Sequence, residues 1–162
     1  MVYVIAGVSG VGKTTLGKQL AKKLSLPFYD GDDYHPEQNI QKMRSGVALN
    51  DADRLPWLKN LHLHLKEWES NGGAVLACSA LKESYRRILA GKEQLSVNWI
   101  FIIADFKTLK ERLGSRRGHF FNPDLLVSQL KTLEIPDYGI MVHAEWTTGQ
   151  QIVHIEMALE HK

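Results

Sequence analysis

The chain has 162 residues, of which 44% are hydrophobic and 23% charged, the balance of one folded domain rather than a disordered segment. A formal net charge of +2 supplies no field that would gather nucleic acid or an anionic membrane surface, so neither is an expected partner. The single cysteine, Cys78, excludes a disulfide framework and any multi-cysteine zinc site.

Taken in chain order, the first apolar run is Val2 to Ala6. It is short, has no basic segment before it and leads directly into a glycine-rich motif, so it reads as a strand rather than a targeting peptide, with the cytoplasm as the expected compartment. Further apolar runs follow at Pro27–Tyr29, Ala74–Cys78, Val97–Ala104 and Ile140–His143. None is long enough to span a membrane, and their unbroken apolar character predicts strands buried on both faces. Helical periodicity lies between them, in Leu16, Leu20 and Leu24, in Trp57, Leu61, Leu65 and Trp68, and in Ile152, Ile155 and Leu159. This alternation predicts an α/β sandwich of three layers, a five-stranded parallel sheet flanked by helices, in a single domain. Two stretches read as loops instead. Gly31 to Pro56 is polar and interrupted by Pro36, Gly46 and Pro56, and Gly114 to Pro123 is short and basic. Loops carried on a rigid sheet are where binding and motion are expected.

The strongest motif is Gly7-Val8-Ser9-Gly10-Val11-Gly12-Lys13-Thr14, followed by Thr15. It has the spacing of a P-loop and lies between a strand and an amphipathic helix. Glycines let the backbone curl so that its N–H groups point at phosphate oxygens, and the helix start adds its positive dipole end. Lys13 is the expected β- and γ-phosphate ligand and Thr14 the expected Mg²⁺ ligand, which makes ATP and Mg²⁺ the expected cofactors. The spacing is not that of a dinucleotide fingerprint, and no guanine-reading motif occurs. The third predicted strand ends in Cys78-Ser79, without a carboxylate for the metal. The acids of Asp30-Gly31-Asp32-Asp33, at the end of a strand taken to lie beside the P-loop strand, are the candidates. One of Asp30 and Asp32 would hold the metal and the other an acceptor hydroxyl.

Lys110, Arg112, Arg116, Arg117 and His119 crowd one basic stretch. Arg112 and Arg116 would share a face if helical, and guanidinium groups suit the charge that spreads over a transferring phosphoryl group. A mobile lid over about residues 112–123 is expected. Elsewhere the structural reading is preferred. His62 and His64 point to different faces of a helix, His143, His154 and His161 belong to the surface or a second layer, Trp57, Trp68 and Trp99 to the core, and Cys78 is a small buried hydrophobe.

The P-loop followed by Asp30-Gly31-Asp32-Asp33-Tyr34-His35-Pro36, Asn39 to Met43, Leu49 to Leu58, Cys78 to Arg86, Arg116 to Phe121 and Leu125 to Leu130 resembles the gluconokinases, small P-loop kinases related to shikimate and nucleoside-monophosphate kinases. The resemblance runs from Val4 to about Glu134 and weakens after Pro136. It implies transfer of the γ-phosphoryl group of ATP to O6 of D-gluconate. By the same resemblance Asp32 binds the acceptor hydroxyl as base or orienter, Asp30 serves the metal, and Arg54 and Arg86 clamp a carboxylate or phosphate. It adds His35, Lys42 and Gln129 to the substrate pocket, gives residues 30–57 to substrate binding, and makes a homodimer the expected assembly. Shikimate or a nucleoside monophosphate is the alternative acceptor, and a nucleotide-binding module without turnover the alternative class.

Overall fold

The computed structural model describes residues 1–92, 95–114 and 123–161. Five strands, β1 (Val2–Ala6), β2 (Phe28–Asp30), β3 (Ala74–Ala77), β4 (Val97–Ile103) and β5 (Ile140–His143), match the predicted runs to within one residue. They form one parallel sheet in the order β2-β3-β1-β4-β5. Helices α1 (Lys13–Leu24) and α7 (Thr148–Glu160) pack together against one face of the sheet, and α3 (Asp51–Ser70) and α4 (Glu83–Ala90) against the other. With both faces covered, every residue of β1 and β3 is buried, which is why these runs carry no polar alternation. Leu16 and Leu20 of α1, and Trp57, Leu61 and Leu65 of α3, are buried against the sheet.

Two expectations change. The P-loop strand and β2 are not neighbours, because β3 lies between them. Fully buried β3 takes a partner on each side, whereas three-residue β2 is only half-buried and suits an edge. The stretch from Gly31 to Pro56 is also more regular than a loop. It holds a 3-10 turn (Gly31–Tyr34), the helix α2 (Glu37–Arg44) and the start of α3. Pro36 caps α2 rather than breaking it. The start of α3 is set by a capping box in which the Asn50 side chain accepts from Asp53 N at 2.8 Å and the Asp53 carboxylate accepts from Asn50 N at 3.0 Å. Pro56 sits inside that helix near its beginning, where the carbonyl that loses its donor belongs to exposed Ala52 and can turn to water. Helices α5 (Phe106–Gly114) and α6 (Pro123–Thr132) flank residues 115–122, so Arg116, Arg117, His119 and most of the predicted lid lie outside the described residues.

Gly17 sits mid-helix in α1, where a glycine costs about 1 kcal/mol relative to alanine. A Cβ there would lie 2.4 Å from the Phe28 ring of β2, so the missing side chain is what lets α1 approach the sheet edge. Gly17→Ala is expected to destabilise the protein by about 1–3 kcal/mol despite its better helix propensity, read as a lower midpoint in urea unfolding. A stabilised variant would show that the ring moves aside freely.

Candidate active site

The P-loop forms between β1 and α1. Gly7 has φ 151°, and a Cβ on it would lie 2.9 Å from Ile102 O, so the loop lies tightly against β4. Gly12, at φ 105°, is the N-cap of α1, which has no side-chain cap and no acidic residue in its first turn. The first-turn N–H groups and the positive helix end are therefore left for an external anion. Val8 and Val11 are buried, so they can offer a phosphate only their backbone, while Ser9, Thr14 and Thr15 are exposed. Lys13 Nζ donates to Val8 O at 2.8 Å, arching back over the loop. Gln129 of α6 binds the loop twice: its side-chain oxygen accepts from Ser9 N at 2.7 Å and its nitrogen donates to Ser9 Oγ at 2.9 Å.

The end of β2 meets this loop across β3. Thr14 Oγ1 donates to Asp30 Oδ2 at 3.0 Å, and Asp30 Oδ1 accepts from Asp32 N at 3.0 Å, capping the 3-10 turn. Crowding by protein, then the neighbouring Asp30 charge, raises the Asp32 carboxyl above the usual carboxylate range, and Lys13 opposes the shift. Asp32 is open to water on its cavity side, which limits that push.

Asp32 and Lys13 face a cavity of about 260 Å³ that also presents Ser9, His35, Arg54 and Gln129, a volume suited to a small metabolite. Arg54 is buried, with Nη1 donating to Leu49 O at 2.7 Å and to Tyr85 Oη at 3.2 Å. Tyr85 in turn donates to Asp51. The His35 ring stacks on Trp57 with centroids 4.1 Å apart. Burial, with a smaller push from the Arg54 charge, lowers its pKa to about 4, so it is neutral at physiological pH. Trp57 is core, as its sequence position suggests, and a cavity wall as well, with its indole N–H on Gly31 O at 2.8 Å. The sequence reading missed Met43, Val47, Leu49 and Ser79, which also line this cavity. For Met43, Val47 and Leu49 the available signal was an apolar side chain inside an otherwise polar stretch, and for Ser79 its place at the end of a strand.

Three cations stand elsewhere than expected. Arg86 is almost fully buried and does not face the cavity. It donates to Ala80 O at 2.8 Å, Leu81 O at 3.3 Å and Glu134 O at 3.0 Å, and lies 3.1 Å from Glu83. It therefore braces the turn after β3, where Ala80 has a left-handed φ of 39°, and is not a substrate clamp. Lys42 is likewise outside the cavity lining, with its ammonium on the Asp53 carboxylate at 2.9 Å. Arg112, on α5, lies beside the P-loop rather than over its end, donating to Val11 O at 3.3 Å and to Ala144 O. There it lines a second cleft of about 280 Å³ with Gly12, Thr15, Trp146 and Thr148. Burial pushes the Cys78 thiol up to about 12, so it stays a protonated thiol. Two further histidines have structural places: His62 bonds Leu89 O at 2.9 Å, and His64 stacks on Trp68.

A P-loop on a five-stranded parallel sheet, opening onto a small cavity with a carboxylate and a buried arginine, defines a small-molecule kinase. A family model described as shikimate kinase matches residues 9–135. The chain is 48% identical over 134 residues to a gluconokinase of Gluconobacter oxydans, covering 82% of this chain and 75% of that protein. It is 43% identical over 137 residues to the thermoresistant gluconokinase of Escherichia coli, covering 83% and 77%. Among solved structures, a gluconokinase from Sinorhizobium meliloti aligns with a TM-score of 0.88 at 34% identity, covering 99% of this chain and 91% of that one. A shikimate kinase from Aquifex aeolicus shares the fold, with a TM-score of 0.59 at 21% identity over 99% and 97% of the two chains. The chain belongs to the shikimate kinase family and, within it, to the gluconokinases.

Removing Arg86 takes the donor from the Ala80 and Glu134 carbonyls, while Leu81 O keeps the Glu134 N–H at 2.8 Å. Arg86→Met is expected to cost about 3 kcal/mol, with the melting temperature falling by about 6–12 °C. A variant of unchanged stability with a raised substrate KM would return Arg86 to the pocket. His35 gives a pH signature. Its folded pKa lies below the unfolded value of 6.5, so its stabilising effect is complete above that pH and is lost as the pH falls toward 4. Over that range the wild type should lose stability relative to His35→Phe, and parallel denaturation profiles would contradict the assignment.

Proposed function

We propose that this chain transfers the γ-phosphoryl group of ATP to O6 of D-gluconate, releasing ADP and 6-phospho-D-gluconate. The observation that carries this reading is a cavity against the P-loop holding an acid, Asp32, a phosphate-seeking cation, Lys13, and a buried guanidinium, Arg54. A sugar acid needs that combination, since its carboxylate calls for a fixed cation and its primary hydroxyl for an acid beside the phosphate site.

The P-loop backbone and the uncapped start of α1 take the phosphates of ATP, and the cleft beside Arg112 and Trp146 takes its nucleoside end. Mg²⁺ fits the paired oxygens of Thr14 and Asp30. Two protein oxygens, completed by phosphate and water, suit an ion that keeps much of its hydration. When bound it neutralises phosphate charge. Asp32 accepts the hydrogen of the attacking hydroxyl and aims its oxygen. Because the transition state is loose, aiming matters more than basicity. Lys13 leaves Val8 O to neutralise the transferring group, and Arg54 holds the carboxylate. Arg116 is the remaining candidate for charge neutralisation, on a lid over residues 112–123. The single domain acts as a homodimer in the cytoplasm. No helix among the described residues is long and apolar enough to cross a membrane.

With MgATP, gluconate and excess 6-phosphogluconate dehydrogenase, NADPH should form, and Lys13→Ala should slow it by about 10²-fold or more. Asp32→Asn is expected to lower kcat by about 10²–10⁴-fold while ATP affinity is kept, and an unchanged kcat would remove Asp32 from the chemistry. ADP release with shikimate or AMP but not gluconate would replace the acceptor. ATP binding without turnover on any acceptor would leave a nucleotide-binding module.

A further inference from the structure

Asn39 is fully buried, yet its side-chain oxygen has no hydrogen-bond partner among the described residues. A buried acceptor left unpaired costs about 1–3 kcal/mol and calls for an explanation. The other end of the amide supplies one. Asn39 Nδ2 donates to the backbone oxygen of Asp53 at 2.8 Å and lies 3.2 Å from His35 Nδ1. The Asp53 carbonyl can only accept, so turning the amide over would set two acceptor oxygens against each other at hydrogen-bond distance. The NH₂ group is therefore fixed in place, and its second hydrogen points at His35. A donor on that side requires a lone pair on Nδ1, so the ring proton must sit on Nε2. An imidazolium would bring N–H against N–H there, so this contact also opposes charging of the ring.

We infer that Asn39 is a positioning residue that locks His35 as the Nε2–H tautomer, giving the cavity a neutral N–H donor beside the Arg54 cation for an oxygen of the sugar-acid acceptor. The rest of the ring is held to match. Its face lies on Trp57, which is itself tied to Gly31 O. His35 lines the cavity, and Nε2 has no partner among the described residues. The two donors then divide the acceptor between them. The guanidinium takes the carboxylate, and the uncharged N–H takes a hydroxyl oxygen without competing for the anion. A fixed donor left unpaired by an analogue lacking that oxygen is a strong source of discrimination.

This assignment rests on the sugar-acid reading, but its first test does not. Long-range ¹H–¹⁵N correlation spectra of the wild-type protein without substrate at pH 7 report the tautomer, with the His35 signals identified among the 7 histidines by their loss in His35→Phe. The expected result is an unprotonated Nδ1 and a protonated Nε2. An Nδ1–H tautomer or a charged ring would overturn the inference, whether or not the enzyme uses gluconate. In the kinetic test, Asn39→Leu and His35→Phe should each raise the KM for gluconate about 10-fold. The KM for ATP should not change, and the double variant should be no worse than His35→Phe alone. Unchanged gluconate KM in Asn39→Leu, or additive effects in the double variant, would refute the positioning role. Should Asn39→Leu fail to fold, the wild-type spectrum and the His35→Phe kinetics decide the matter. Absence of gluconate turnover by the wild type, with the tautomer as expected, would instead refute the acceptor assignment.

Discussion

All five strands run the same way, so every loop that follows a strand emerges on one edge of the sheet. That constraint assembles the site. The P-loop follows β1, Asp30 closes β2, Ser79 follows β3, and Ala144 follows β5. None of these is near the others in sequence, yet Thr14 and Asp30 come within 3.0 Å and Gly7 N reaches Ser79 O at 3.3 Å. The sheet interior is mostly apolar, with Asn98 of β4 its buried polar exception, and lines neither the cavity nor the cleft. Its rigidity lets four loops hold their polar groups in fixed relation, as transfer of a phosphoryl group requires.

The polar groups of the site are divided between those left open and those already engaged. The uncapped start of α1 is left for an anion, while Arg86, Lys42, Asp53 and Asp51 spend their charge holding turns and helix starts in place. Through Asn39 and Lys42, α2 is hooked to the first turn of α3 at a single residue, Asp53. That hook sets the wall carrying Met43, Val47 and Leu49 opposite the P-loop. The cavity wall is thus held by an ion pair that lies outside the cavity lining.

Much of the fold is legible in the sequence because parallel strands buried on both faces are unbroken apolar runs, and the P-loop is read from spacing alone. The 3-10 turn, α2 and the start of α3 were hidden behind prolines and glycines that normally interrupt helices. Pro36 is the N-cap of α2, where a missing N–H costs little, and Pro56 sits in the second turn of α3, where the carbonyl it leaves without a donor belongs to exposed Ala52. The Asn50–Asp53 capping box that starts α3 is local in sequence, yet the stretch reads as a loop. Strand order was beyond local pattern, since nothing in β2 or β3 records which of them pairs with β1.

By itself the sequence determined the strands, the phosphate loop, the acids after β2 and the family resemblance, because each is written in contiguous residues with local physics. Only the tertiary structure decided what each charge does. Arg54 and Arg86 look alike as isolated arginines, yet one lines the cavity and the other is consumed by three carbonyls. Asn39 looks like any polar helix residue until Asp53 O and His35 close around it. A side chain's role depends on the partners that desolvate and bond it, and those partners come from segments far away in the chain, brought together only by folding.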